Sequence, residues 1–149
     1  MKNLEINRIR DPKVAYRILC EFDNVYEPPL HLRIVDLALY AKKLVSKGYV
    51  YVILKDAKPQ GFVTFYSNDS VSKTGYLSQL AIKPDCLVKG AGYNLLKLFE
   101  KVSCENGMEK LKLEVYDSNV HAINFYKKNG YKVVEKASDK SSYMMKRIK

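Results

Sequence analysis

Lys89, Gly90 and Gly92 stand directly ahead of a leucine-rich helical pattern in LVKGAGYNLL, residues 87–96. The first turn of a helix has unpaired N–H groups and the positive end of the macrodipole, so it attracts phosphate. Glycines carry no Cβ and let an anion come close to that backbone. The same glycines also serve to ease a loop into a helix, and a lone G-x-G leaves both uses open. Two other phosphate sites are excluded. A dinucleotide fingerprint needs G-x-G-x-x-G after an early strand, and a Walker loop needs G-K-[ST]. A second group of residues lies downstream in LEVYDSNVHAINFYKKNGY, residues 113–131. Asn119 opens a helical pattern, as a cap residue does. Tyr126 lies one turn after Ala122 and faces the same way. Tyrosine at helical spacing is commonly core, but a phenol with an ordinary pKa near 10 is also protonated at pH 7 and able to donate.

The elements that must position these residues follow from periodicity. Asp11-Pro12 has the form of an N-cap and first helical residue, and Val14, Ile18 and Phe22 predict a first helix ending near EPP. A second helix is expected from about His31 to Lys47, ended by Gly48. The alternating N-terminus MKNLEINRIR reads as a strand. YVYVILKD and GFVTFYSND read as a hairpin joined by AKPQ, and TGYLSQLAI as a fourth strand closed by Pro84. The third helix follows the glycine loop and stops at Asn106-Gly107. KLKLEVY is a fifth strand, and a fourth helix stops at Asn129-Gly130. YKVVEK and SSYMMKRIK close the chain as two strands. This order predicts an α/β (α+β) fold: a mixed, mostly antiparallel sheet of about seven strands flanked by about four helices.

Composition sets the bounds. The chain has 149 residues and 47% hydrophobic content, the size of one domain, 1–149, with a real core. No apolar run approaches the roughly 18–20 residues of a membrane span, and no signal-peptide region is expected at the N-terminus. Cys20, Cys86 and Cys104 are three, without C-x-x-C spacing. Neither a disulfide framework nor a metal site is expected, and the cytoplasm is the natural setting. A net charge of +10 favours an anionic partner, which could be nucleic acid, a nucleotide-bearing cofactor or an acidic substrate. The lysines form no compact run, so a nucleic-acid surface is disfavoured.

Two segments taken together carry more. YLSQLAIKPDCLVKGAGYNLLKLFE, residues 76–100, is a strand, proline-broken loop, glycine turn and helix. The segment from Leu113 to Tyr131 has the form N-x-x-A-x-x-F-Y-x-x-x-G-[FY]. This pair, over about residues 76 to 131, resembles the GNAT superfamily of acetyl-CoA-dependent N-acetyltransferases. The first segment matches that superfamily's pyrophosphate-binding motif in part, and the second matches its strand–helix motif in full.

The resemblance implies that acetyl-CoA is the acetyl donor. Backbone N–H groups of Val88, Lys89, Gly90, Ala91 and Gly92 would hold its pyrophosphate, with the Lys89 side chain adding a point charge. Where Leu87 stands the family usually has Arg or Gln, and where Val88 stands, Gly. Leu80 and Ile82 fall where the family's fourth strand pairs with the pantetheine arm, and strands four and five splay apart there. Asn119 would also bond that arm. Tyr126 would point its hydroxyl at the coenzyme A sulfur and donate a proton to it, while a backbone N–H near Leu80 polarises the carbonyl.

The family's strand-four glutamate is replaced by Ser78, which leaves Glu27, Glu114 and Asp117 as candidate bases, or a water chain. Each carboxylate also suits a plain surface role. His121 lies in a helix first turn, expected to be solvated. Cys86 is expected to be a small loop or core residue, because the family transfers directly between bound substrates. Residues of about 12 to 47 would shape the acceptor pocket. The expected acceptor is the primary amine of a small molecule, such as an amino sugar or sugar nucleotide, with Arg33 or a lysine at its acidic group. The alternatives are a catalytically silent acyl-CoA-binding regulatory module and a basic nucleic-acid-binding domain. A homodimer is left open.

Overall fold

The structure, a computed structural model, describes residues 4–149. Met1 to Asn3, the start of the expected first strand, lie outside the described residues. One seven-stranded sheet runs in the order β1-β2-β3-β4-β5-β7-β6. Its strands are β1 (Leu4–Arg8), β2 (Tyr49–Lys55), β3 (Lys58–Tyr66), β4 (Thr74–Ile82), β5 (Lys110–Tyr116), β6 (Lys132–Lys136) and β7 (Ser141–Arg147). Every neighbouring pair is antiparallel except β4 and β5, which are parallel.

The helices divide between the two faces. On one face lie α1 (Pro12–Glu21), α2 (Leu30–Arg33) and α3 (Leu37–Lys47). Leu19, Phe22, Leu30, Ala41 and Leu44 pack there against Val50, Val52, Phe62 and Ala81 of the sheet. On the other lie α4 (Ala91–Glu105) and α5 (Val120–Lys128). Leu95, Leu96, Phe99 and Tyr126 pack there against Phe65, Leu77, Leu113 and Val115. Strand alternation sends successive side chains to opposite layers.

Three expectations are corrected. The first helix ends at Glu21 rather than near EPP, because Phe22 turns inward as the C-cap and stacks edge-on against Phe62 at 5.0 Å. The expected second helix is two. Ile34 and Asp36 adopt extended backbone, and the Asp36 carboxylate caps α3 by accepting the Leu39 N–H at 3.0 Å. The α-helices among the described residues therefore number five. The hairpin turn is Asp56-Ala57 rather than AKPQ. Both residues have positive φ, 50° and 64°, as a tight two-residue turn between twisted strands requires. Pro59 and Gln60 then belong to β3, where Gln60 is the extra residue of a bulge opposite Ile53 and Leu54 of β2.

Candidate active site

The sheet opens where the parallel pair parts. β4 and β5 pair only from Thr74↔Lys110 to Leu77↔Leu113, after which Ser78–Ile82 and Glu114–Tyr116 diverge. A bulge begins the parting: Phe65 faces Leu77 and Thr64 faces Gln79, so Ser78 has no residue opposite it on β3. A cleft of about 1120 Å³ occupies the gap and reaches both layers of the molecule.

One end of the cleft belongs to the α4–α5 layer. Leu80, Ile82, Cys86, Val88, Ala122 and Phe125 line it and pack against that core. The loop before α4 ends at Gly90, whose φ of +75° is the left-handed conformation that glycine tolerates. No side chain caps this helix, and the first intrahelical bond is donated by the Asn94 N–H to the Gly90 carbonyl at 2.9 Å. The N–H groups of Ala91, Gly92 and Tyr93 thus belong to the unsatisfied first turn. All three residues line the cleft, as does Gly90.

Asn119 caps α5, its Oδ1 accepting the Ala122 N–H at 3.1 Å, and it lines the cleft as well. Tyr126 lies on the same wall at 9% exposure, with its ring edge-on to Phe125 and Tyr131. Burial pushes its phenol well above the ordinary range, so it remains a proton donor at neutral pH. Of the residues expected to hold the donor, all but Lys89 line the cleft; the Lys89 side chain is exposed. The Val88 N–H is already turned to the Cys86 sulfur at 3.4 Å, and the Cys86 thiol donates to the Val88 carbonyl at 3.4 Å. Cys86 is therefore a loop residue that also touches the cleft.

The other end belongs to the α1–α3 layer. Tyr26, Glu27, Arg33, Tyr40, Tyr76, Ser78, Gln79, Glu114 and Tyr116 line it. Tyr40 hydrogen-bonds Ser78 hydroxyl to hydroxyl and accepts from Gln79 Nε2 at 3.3 Å. The Tyr26 phenol is raised well above its usual range, chiefly by burial, then by the Tyr40 and Tyr126 phenols, with Arg33 acting in the opposite sense. Tyr76 is pushed up to about 12 by burial and by the Glu114 charge.

Among the candidate bases, Glu27 and Glu114 line the cleft. Glu114 accepts from the Ser141 hydroxyl at 2.6 Å. Asp117 is elsewhere, paired with Lys136 and accepting from the Ser142 hydroxyl at 2.6 Å. His121 is exposed but lines the cleft, along with a smaller hollow of about 680 Å³ formed with Asn124, Phe125, Lys127 and Lys128. Among the described residues no cluster of His, Cys, Asp and Glu could hold a metal ion.

Sequence reasoning missed two residues. Gln60 is 7% exposed, and its Oε1 accepts the Leu87 N–H at 2.9 Å while its carbonyl accepts the Lys83 N–H at 2.9 Å. It fixes both ends of the loop that leads to Gly90. Tyr40 fixes the bulge at Ser78. A glutamine beside a proline-containing turn gives no periodic signal, whereas Tyr40 was visible only as a member of the second helix.

Comparison with known proteins gives one family and a consistent fold. The model of the acetyltransferase (GNAT) family matches residues 14–131. A GNAT-family acetyltransferase from Staphylococcus aureus Mu50 superposes with a TM-score of 0.78 at 16% identity, over 97% of this chain and 100% of that one. PaiA N-acetyltransferase from Thermoplasma acidophilum, solved in complex with coenzyme A, gives 0.72 at 20% identity, over 96% and 99%. The ribosomal-protein-S18-alanine N-acetyltransferase of Escherichia coli gives 0.71 at 20% identity, over 99% and 94%.

Proposed function

The chain belongs to the GNAT family of acetyltransferases, and from that premise we propose that it moves the acetyl group of acetyl-CoA to a primary amine of a small molecule by direct attack in a ternary complex. The observation that carries this is the cleft at the parted strands, lined at one end by a helix start with free N–H groups and at the other by polar side chains. The pyrophosphate would lie on the N–H groups at Gly90, Ala91 and Gly92. Leu80 and Ile82 would flank the pantetheine arm, and Asn119, whose Oδ1 is taken by the helix, would offer its amide nitrogen.

The amine must reach the thioester carbonyl as a free base. Its nitrogen bonds to the carbonyl carbon, the carbon–sulfur bond breaks, the departing sulfur takes a proton from Tyr126, and the proton shed by the nitrogen passes through water to restore the phenol. General acid help of this kind contributes roughly 10²–10⁴-fold. A backbone N–H near Leu80 would steady the developing oxyanion. An amino sugar, free or linked to a nucleotide, falls within the proposed acceptor class, and the tyrosine rings suit a sugar face. We place the reaction in the cytoplasm, consistent with three free thiols and with no described helix long and apolar enough to cross a membrane.

Ser78 favours one other reading. Its hydroxyl is held by Tyr40 and no carboxylate occupies that strand position, as suits a silent acyl-CoA-binding module. Thiol release from acetyl-CoA, measured with a panel of primary amines, decides between the two. Amine-dependent release is expected. Coenzyme A binding with no release for any amine would contradict catalysis and leave the silent module.

A further inference from the structure

We propose that the acceptor carries a second positive charge: a small aliphatic di- or polyamine, held as a cation at the acceptor end of the cleft. This rests on the acetyltransferase reading. The net charge of +10 would lead one to expect an anionic acceptor, yet the cleft's own charges have the opposite balance. Two carboxylates, Glu27 and Glu114, line its acceptor end against one guanidinium, Arg33.

Arg33 is already engaged. Its Nε donates to the Pro28 carbonyl and its Nη2 to the Glu27 carbonyl, each at 2.9 Å. The guanidinium also lies over the Tyr26 ring at 5.1 Å and the Tyr116 ring at 4.4 Å. A phosphate would have to compete with both carbonyls and both ring faces for it. Glu114 has the reverse character. It accepts from Ser141 through Oε2, which leaves Oε1 for a cation. β5 alternation sends Leu113 and Val115 into the α4–α5 core and so turns Glu114 toward the α1–α3 layer, where Tyr76 and Tyr40 also line the cleft. Tyrosine faces attract ammonium groups.

A further observation points to a ligand. The Tyr26 hydroxyl is buried without a hydrogen-bond partner, although the residue lines the cleft. Its phenol is held protonated, so once its ring turns outward into the cleft its oxygen can accept from an ammonium. Arg33, at the end of α2, bonds two carbonyls of the loop after α1 and lies over Tyr116, so it ties that loop to the end of β5.

The test compares 1,4-diaminobutane and spermidine with n-butylamine, glucosamine, a nucleotide-linked amino sugar and a short peptide. The diamines are expected to give the highest kcat/KM. Glu114→Gln, which keeps an acceptor for Ser141, should raise the KM for spermidine roughly three- to tenfold. Its affinity for coenzyme A should be unchanged. Spermidine titrated into the protein saturated with coenzyme A gives a readout independent of turnover. Binding that weakens with salt and with Glu114→Gln supports the proposal, even if no amine is acetylated and the acetyltransferase reading fails. Equal kcat/KM for butylamine and diaminobutane, preference for the sugar nucleotide or the peptide, or no spermidine binding overturns it.

Discussion

The two ends of the cleft differ in what they are made of. The donor end is built from main chain and apolar side chains of one continuous stretch, Leu80 to Tyr93, together with one face of α5. The acceptor end is assembled from single side chains on the loop after α1, on α2, on α3 and on the two parted strands. A site built on main chain tolerates side-chain change so long as the backbone path is kept. A site built from scattered side chains is altered by one substitution. The donor end is thus suited to a constant ligand, and the acceptor end to one that varies between proteins of the same fold.

The largest effect is expected where the two ends meet. Tyr126→Phe removes one oxygen and leaves the ring packing with Phe125 and Tyr131. Turnover should fall roughly ten- to a thousandfold with little change in acetyl-CoA affinity. Undiminished turnover would make Tyr126 a core residue only and move the proton donation to water. Because the phenol is held above its ordinary range, rates should show no loss from Tyr126 ionisation as pH rises to about 10.

Gln60→Leu probes the donor end through its support. The Leu87 N–H loses its acceptor, a bond worth roughly 0.5–1.5 kcal/mol, and the loop before Gly90 loosens. The KM for acetyl-CoA should rise about three- to tenfold while kcat holds. A fall in kcat with unchanged KM would contradict a positioning role. Lys89→Ala should do less, about threefold or under in affinity, because the side chain is exposed and outside the cleft lining. A larger loss would mean that the phosphates depend on its charge.

The smallest effect at neutral pH lies in folding. Tyr66 and Tyr76 are both pushed up to about 12, so the folded chain keeps their protons after the unfolded chain has released them. Below pH 10 neither state is ionised and these groups contribute no pH dependence. Between about 10 and 12 the unfolded state binds fewer protons, and stability must fall. Denaturant midpoints measured from pH 8 to 11 should be level and then drop. A level profile to pH 11 would contradict the burial of these phenols.

The same contrast explains what was legible in the sequence. The donor end could be read because proximity in sequence is proximity in space: the glycine turn, the strand before it and the Asn119–Tyr126 helix are continuous motifs. Strand alternation and helix caps also made most of the elements visible. The boundary at Asp36 escaped because Ile34 and Val35 continue an apolar pattern that the backbone does not follow. The turn at Asp56-Ala57 escaped because Pro59 is the stronger turn signal and alanine gives none for a positive φ. The acceptor end could not be assembled, since nothing in sequence spacing brings Glu114 into the same cleft as Arg33 or Tyr40 to Ser78. Net charge sums over the whole surface, and the cleft holds few of its charges.

The central claim is that the start of α4 holds coenzyme A by its backbone, and Gly92 tests it better than Gly90. A side chain at Gly90 would be strained by its φ of +75° whatever the ligand does. A Cβ at Gly92 would meet Phe125 and Ile82 no closer than 3.6 Å, an ordinary contact that the fold can accept. Calorimetric titration of coenzyme A into wild type and Gly92→Val should show binding in the first and a sharp loss in the second, with circular dichroism unchanged. Equal affinity in a folded Gly92→Val protein would contradict the assignment.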